Sequence, residues 1–234
     1  MIWRFALYGF LKNLRFFEIF IILAFRERHM SFFMIGVLFA IRQVTLNILE
    51  IPSGAIADSF GRKRCMVLSM LAYFIAFFIL AWGTHVMLAA IGMCLFGLGD
   101  AFRSGTHKAM IYTWLRREGR IEERTRVYGF TRSWSKTGSA ISAVLAAVIV
   151  VIGQNYTAVF WASLIPVLLN LINLATYPVC LNFEEENAVS QRLSAGAIFR
   201  TSWETLKETF QDLRKNRGLR RLIGQSIAIE GTYE

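Results

Sequence analysis

Proline is scarce in this chain, with 3 residues in 234, whereas phenylalanine contributes 20. Because proline punctuates turn-rich structure, its scarcity favours long helices over β-rich folds. Cysteine is rare too. Cys65, Cys94 and Cys180 lie in or beside hydrophobic runs without metal-ligand spacing. We therefore interpret them as small apolar packing residues, and we expect no disulfide framework.

The motifs of soluble enzyme chemistry are also missing. His29, His85 and His107 are too scattered to form a metal site. The chain has no Gly-Lys-Ser/Thr phosphate loop, so the sequence does not support ATP-driven pumping. No nucleophile, base and acid form a recognisable set. We expect neither an enzyme nor a bound metal or cofactor.

Long hydrophobic runs are abundant. Apolar residues make up 55% of the chain, above the roughly 45–50% of soluble domains. A membrane-spanning helix needs about 20 mostly apolar residues, and six segments qualify. They run approximately over Ala6–Phe25, Phe32–Ala57, Cys65–Trp82, Val86–Leu115, Val127–Gly153 and Thr157–Leu181. The sequence thus predicts an all-α, multi-pass membrane protein with a six-helix transmembrane bundle over residues 1–181.

The connections between these segments differ in charge. Three are short, at Arg26–His29, Gly83–His85 and Gly153–Tyr156, and only the first of them contains arginine. The opposite side collects Arg62, Lys63, Arg64, Arg116, Arg117, Arg120, Arg124 and Arg126. By the positive-inside rule that basic side is cytoplasmic, and so are both chain ends. The net charge of +10 is then explained by an anionic lipid surface, without nucleic acid as a partner.

Two further segments follow the sixth helix. Residues 182–221 form a polar linker in which Thr201 and Glu204 have capping-box spacing. We predict an amphipathic helix there, lying either along the cytoplasmic membrane surface or against the protein. The apolar run 222–234 is too short to span a bilayer of about 30 Å, so we expect it to be the start of a seventh helix.

Ionisable residues inside the predicted helices follow a pattern. Buried charges in a membrane cost several kcal/mol, so they usually face a cavity or each other. The first, second, fourth and fifth helices carry charges, whereas the third and sixth carry none, which suggests a 3+3 repeat. Lys12, Arg15 and Glu18 are three residues apart and would share one helical face. Arg132 and Lys136 of the fifth helix either join the polar interior or snorkel to the interface. The candidate cavity residues are Lys12, Arg15, Glu18, Arg42, Glu50, Asp100 and Arg103.

The loop after the second helix carries a motif, G-x-x-x-D-x-x-G-R-K-R. Its members are Gly54, Asp58, Gly61, Arg62, Lys63 and Arg64. Gly54 would let two helices approach closely, Gly61 would permit a tight reversal, and Asp58 would either cap a helix or pair with Arg62.

This motif and its position resemble the signature loop of the major facilitator superfamily. The run from Gly99 to Tyr112 is similar to the fourth helix of bacterial drug-efflux-like members. The resemblance implies the N-terminal half of a twelve-helix fold, a missing C-terminal six-helix half, and a bacterial inner-membrane location. It also implies alternating access, with the first and fourth helices lining a cavity and the motif acting as a cytoplasmic gate.

Three positions depart from the family pattern. Ser59 follows Asp58 where a basic residue is usual, and Thr113 follows Tyr112 where similar members often have an aspartate. That aspartate would join the charge network around Asp58 and Arg62, so we expect a weaker network here. The Gly-Pro pair of proton antiporters is missing after Gly138.

Two functional hypotheses remain open at this point. The first is a secondary transporter that moves a small molecule, with proton-coupled efflux as one form. Glu18 and Asp100 would then be candidates for proton coupling, and the basic cavity residues would be counter-charges or anion contacts. The second is a truncated or half-size membrane protein that does not transport and serves as an interaction partner.

Overall fold

The computed structural model describes residues 1–153 and 155–182. They form eight α-helices and no β-strand, which confirms the all-α prediction. The helices are α1 Ile2–Lys12, α2 Phe17–Glu27, α3 Phe32–Phe60, α4 Arg62–Trp82, α5 Val86–Arg103, α6 Thr106–Arg117, α7 Arg124–Gly153 and α8 Ala158–Ala175. The predicted amphipathic helix and the start of a seventh helix lie outside the described residues.

Five stretches of the described chain are long and apolar enough to cross a membrane. They are Phe32–Glu50, Arg62–Trp82, Val86–Arg117, Ile121–Gly153 and Ala158–Ala175. They correspond to the second to sixth predicted segments. The first predicted segment is not one helix, so a count of six and a 3+3 arrangement remain predictions.

The first predicted segment breaks between α1, which ends at Lys12, and α2, which begins at Phe17. Side chains replace part of the lost backbone bonding: Asn13 Nδ2 donates to the carbonyl of Gly9 (2.7 Å) and Arg15 Nε to that of Lys12 (3.3 Å). A helix break inside a membrane is tolerated where it is bonded and lines a cavity. The predicted common face of Lys12, Arg15 and Glu18 is therefore wrong, because helical periodicity does not continue through the break.

A second break separates α5 from α6 at Ser104 and Gly105. Gly105 has a φ of +71°, a left-handed conformation that glycine adopts without the steric cost of a Cβ atom. The predicted continuous fourth helix, Val86–Leu115, is consequently two helices. Both breaks fall among residues that the sequence marks as charged.

An aromatic cluster holds four helices together beside the first break. The ring of Phe17 on α2 lies 4.6 Å from that of Phe77 on α4 and 5.4 Å from that of Phe96 on α5. It also stacks on Phe160 of α8 at 5.8 Å. Such ring pairs add to the packing energy beyond the area they bury. The segment after the break is thus fixed by packing, which holds the break in place.

Only one cysteine behaves as predicted. Cys65 is buried in the bundle, whereas Cys94 and Cys180 are exposed. An apolar run predicts that a cysteine lies in a helix. Whether the cysteine side chain is buried depends on which other helices pack against that helix.

Helices α1 and α7 pack closely at two glycines. A Cβ atom on Gly9 would lie 2.5 Å from Oγ of Ser135, and one on Gly138 would lie 2.5 Å from the carbonyl oxygen of Phe10. Small residues let membrane helices approach in this way. The close approach predicted at Gly54 is wrong for the described chain, because a Cβ atom there would meet no atom of it within 4 Å. The neighbouring Ser53 bonds to Ala101 of α5, so Gly54 lies on the side of α3 that no described helix covers.

Replacing Gly138 with alanine is expected to destabilise the bundle by about 1–3 kcal/mol, as overpacking does in other proteins. The added methyl group would strike backbone, which cannot move aside as a flexible side chain can. The midpoint of thermal unfolding in detergent measures the effect. Gly129→Ala on the same helix is the matched control, since a Cβ atom there meets nothing within 4 Å. Equal midpoints for the two variants would contradict the close packing of α1 on α7.

Candidate functional site

A polar cavity of about 440 Å³ lies where the two helix breaks come together. Its walls are residues of α1, α3, α5, α6 and α7 and of both breaks, and neither α4 nor α8 contributes to them. The volume lies within the range of small-molecule sites, about 300–1,000 Å³. We call this cavity the central pocket.

Six basic side chains and two carboxylates line the central pocket. The basic residues are Lys12, Arg15, Arg42, Arg103, Lys108 and Arg132, and the acidic ones are Glu50 and Asp100. Six of these eight residues belong to the membrane-length stretches, all but Lys12 and Arg15, and charged residues in such stretches usually mark a solute or ion pathway.

Asp100 is the centre of the charge cluster. Its side chain is only 5% exposed. Arg42 Nη2 donates to Oδ2 at 2.7 Å, and Arg103 Nη2 donates to Oδ1 at 2.9 Å. Arg15 Nη2 lies farther from Oδ1, at 3.4 Å, and Tyr73 Oη donates to the same oxygen at 2.5 Å. A buried carboxylate needs such a set of donors, because burial without them is very costly.

Aromatic rings orient the arginines of this cluster. The guanidinium of Arg42 lies 4.0 Å from the ring centroid of Phe96, and that of Arg15 lies 5.6 Å from the same centroid. Arg103 Nε donates to Tyr73 Oη at 2.8 Å. Cation–π contacts of this kind strengthen when the groups are shielded from water. Tyr73 and Phe96 thus position the arginines that hold Asp100.

The structure brings six of the seven predicted cavity residues to the central pocket. They are Lys12, Arg15, Arg42, Glu50, Asp100 and Arg103. Glu18 is the exception. Its side chain is 58% exposed and lies 3.5 Å from Arg15, with which it forms an ion pair outside the pocket lining. The helix break turns Glu18 away from the position that an unbroken helix would give it.

Glu50 reaches the pocket from α3. Its Oε1 accepts a hydrogen bond from Ser104 Oγ at 2.8 Å, so a carboxylate of the second predicted helix contacts the break in the fourth. This bond is to a neutral hydroxyl, whereas the bonds of Asp100 are mostly to guanidinium groups.

Several pocket residues were not among the predicted ones. Tyr8, His107, Lys108 and Tyr128 line the pocket, and so does Arg132, for which the sequence left snorkelling open. Tyr73 was missed because α4 contains no charge inside the membrane. A tyrosine in such a helix is itself a usable signal, since a buried hydroxyl usually has a hydrogen-bond partner.

The signature motif forms a compact turn between α3 and α4. Gly61 has a φ of +104°. Asp58 Oδ1 accepts from Arg62 Nε at 3.0 Å, which is the pairing alternative of the sequence prediction, and Thr113 Oγ1 accepts from Arg62 Nη1 at 2.9 Å. Thr113 therefore contacts the arginine from the position where similar family members have an acid, but as a neutral acceptor.

The motif also joins the end of the sixth predicted segment. Lys63 Nζ donates to the carbonyl of Tyr177 at 2.6 Å, and the backbone N–H of Arg62 donates to that of Asn182 at 2.9 Å. Arg64 is exposed. The turn is thus anchored to α6 and to the segment after α8.

The chain is similar to a known protein family and to a curated relative. The family model described as Major Facilitator Superfamily matches residues 6–232. An uncharacterized transporter of Buchnera aphidicola subsp. Schizaphis graminum is 27% identical over 131 residues, which are 56% of this chain and 32% of that protein. The chain therefore spans about a third of the length of this curated relative.

Proposed function

The chain belongs to the Major Facilitator Superfamily and is a multi-pass membrane protein, and we propose that it is part of a secondary active transporter. In this proposal a small molecule crosses the membrane through the central pocket by alternating access. The broken pair α1 and α2 would cross the membrane as one span, which would give six spans and place both chain ends in the cytoplasm of a bacterial inner membrane.

The observation that carries this proposal is the position of the central pocket. Ionised side chains and two helix breaks coincide at one cavity. In transporters, interrupted helices leave polar backbone and side chains free to contact solutes at membrane depth. A purely structural polar core would be expected to satisfy its charges internally, without an open volume of this size.

A second bundle is the partner that we propose for the open side of the site. Only 11% of the apolar stretch in α3 and 17% of that in α7 are buried within the described chain. Both helices also line the pocket, so a partner on this side would complete its wall. The C-terminal half expected from the family resemblance is such a partner. A half-size protein that only binds partners would use the same faces, and transport distinguishes the two.

We extend the coupling hypothesis to Glu50. Asp100 already accepts bonds from three arginines and a tyrosine, so a proton on it would displace several of them. Glu18 does not line the pocket. Glu50 does, and its bond from Ser104 is to a neutral group. Glu50 is therefore the carboxylate whose protonation would disturb the cluster least.

Transport by proteoliposomes tests the proposed function. We expect the full chain, with its partner half where that half is a separate chain, to move a charged solute faster under a proton gradient than without it. Glu50→Gln should abolish the stimulation by the gradient, and Glu18→Gln should leave it unchanged. Protein-free liposomes provide the background rate. If the proton gradient still stimulated transport by Glu50→Gln, Glu50 would have no role in coupling. If the chain transported no anionic, cationic or zwitterionic solute, the transport function would be rejected.

A further inference from the structure

The charges of the central pocket do not cancel. Arg15, Arg42 and Arg103 surround the single carboxylate of Asp100. The remaining basic residues of the lining are Lys12, Lys108 and Arg132, against which the lining offers only Glu50. By formal charge the lining thus has four more basic than acidic side chains, which favours a positive potential inside a low-dielectric region.

Two of the basic residues are uncompensated. Within the part of the chain that the structure describes, neither the Lys12 ammonium nor the Arg132 guanidinium has a hydrogen-bond or ion-pair partner. Lys108 lies over the rings of Tyr112 and Tyr128, at 5.7 and 5.4 Å from their centroids. Such a side chain keeps its charge at membrane depth only with water or an anion beside it.

Neutral donors stand next to these cations. Tyr8 and Lys12 are four residues apart on α1 and therefore lie on one helical face. The Tyr8 ring stacks on His107 of α6 with centroids 4.0 Å apart. Tyr8 Oη and His107 Nε2 are both buried without a hydrogen-bond partner among the described residues. Unsatisfied buried groups are rare, so we expect a ligand or water in the pocket to satisfy these two.

We propose that the central pocket binds a small organic anion whose carboxylate or phosphate oxygens are held by Lys12 and Arg132, with Tyr8 and His107 as neutral hydrogen-bond partners. This inference rests on the proposed transport function and specifies its substrate class. Hydrogen bonds between charged groups and oxyanions are the strongest that such a site can form. An organic cation would meet six basic side chains and would be repelled.

Binding to the purified full chain tests the substrate class without requiring transport. The probes share one ring and differ in charge: benzoate and phenyl phosphate are anions, benzyl alcohol is neutral and benzylammonium is a cation. Isothermal titration should show binding of benzoate, phenyl phosphate or both. Benzyl alcohol and benzylammonium should bind at least about tenfold more weakly than the anion that binds. Binding of neither anion, or binding of benzylammonium as tight as that of the anions, would overturn the proposal.

Variants of Lys12 separate a direct contact from a structural effect. Lys12→Ala should weaken anion binding by about tenfold to a hundredfold, the loss of one charge-assisted bond, whereas Lys12→Arg should retain most of it. Lys136→Ala removes the same charge from α7 outside the pocket lining and should leave binding unchanged. Thermal midpoints confirm that each variant is folded. Equal binding by Lys12→Ala and the parent would contradict the assignment of Lys12. If the chain bound the anion but transported no solute, the transport function would be rejected. The central pocket would still be supported as a site for a small organic anion.

Discussion

Replacing Asp100 with asparagine is expected to abolish transport and to destabilise the folded chain by about 3–5 kcal/mol, the usual cost of removing one partner from a buried ionic cluster. Asparagine has nearly the same size, so the change removes charge and little packing. Arg15, Arg42 and Arg103 would then face each other without the carboxylate that they share. Solute flux in proteoliposomes and the unfolding midpoint in detergent measure the two effects.

Glu18→Gln is the matched control for this prediction. It removes the same charge, but from a side chain that is 58% exposed and outside the pocket lining. An exposed ion pair contributes at most about 1 kcal/mol, so both measurements should stay near those of the parent chain. If Asp100→Asn proved as stable and as active as Glu18→Gln, the cluster would not be the centre of the site.

Gly61→Ala is expected to be the most damaging single change in the signature motif. At a φ of +104° an L side chain is strained, at a cost of about 1–3 kcal/mol. The new Cβ atom would also lie 2.9 Å from Oδ1 of Asn182. Because the adjacent N–H of Arg62 bonds to the carbonyl of Asn182, we expect the turn to separate from the segment after α8. A lower unfolding midpoint and reduced flux would report this.

The second glycine of the motif supplies the comparison. Gly54 lies within α3, and a Cβ atom there meets no described atom within 4 Å. Alanine favours helix over glycine by roughly 1 kcal/mol, so Gly54→Ala should keep or raise the unfolding midpoint. Should Gly54→Ala preserve stability but stop transport, Gly54 would act at the interface with the proposed second bundle. A midpoint lowered equally by both substitutions would contradict the special role of Gly61.

The helical class and five of the membrane-length stretches could be predicted from hydrophobic length alone. Segments such as Arg62–Trp82 contain enough apolar residues that no alternative competes. The breaks could not be predicted in the same way, because Asn13 to Phe16 and Ser104 to Gly105 contain no proline. At the first break, the side chains of Asn13 and Arg15 bond open carbonyls of the same segment, whereas the aromatic cluster around Phe17 is a tertiary contact.

Residues of the site could be predicted where a charge interrupts an apolar run. Asp100 and Arg42 are costly at membrane depth unless they meet, and the structure has them in contact at 2.7 Å. Glu18 departs from this rule, because its direction depends on the break before it. Tyr73 and His107 were not predicted, because neither carries an obligatory charge. Their participation depends on which helices become neighbours, and one sequence does not contain that information.

The proposed transport requires that the central pocket is a water-filled cavity within the membrane. Ser104 lines the pocket at the second break and is exposed to it, whereas Val144 lies on α7 outside the pocket and is 65% exposed on an apolar face. In a chain whose native cysteines are replaced, Ser104→Cys and Val144→Cys can be tested with a hydrophilic maleimide in membrane vesicles. We predict rapid labelling at position 104 and none at position 144. A cysteine at position 104 as unreactive as one at position 144 would contradict a water-filled pocket.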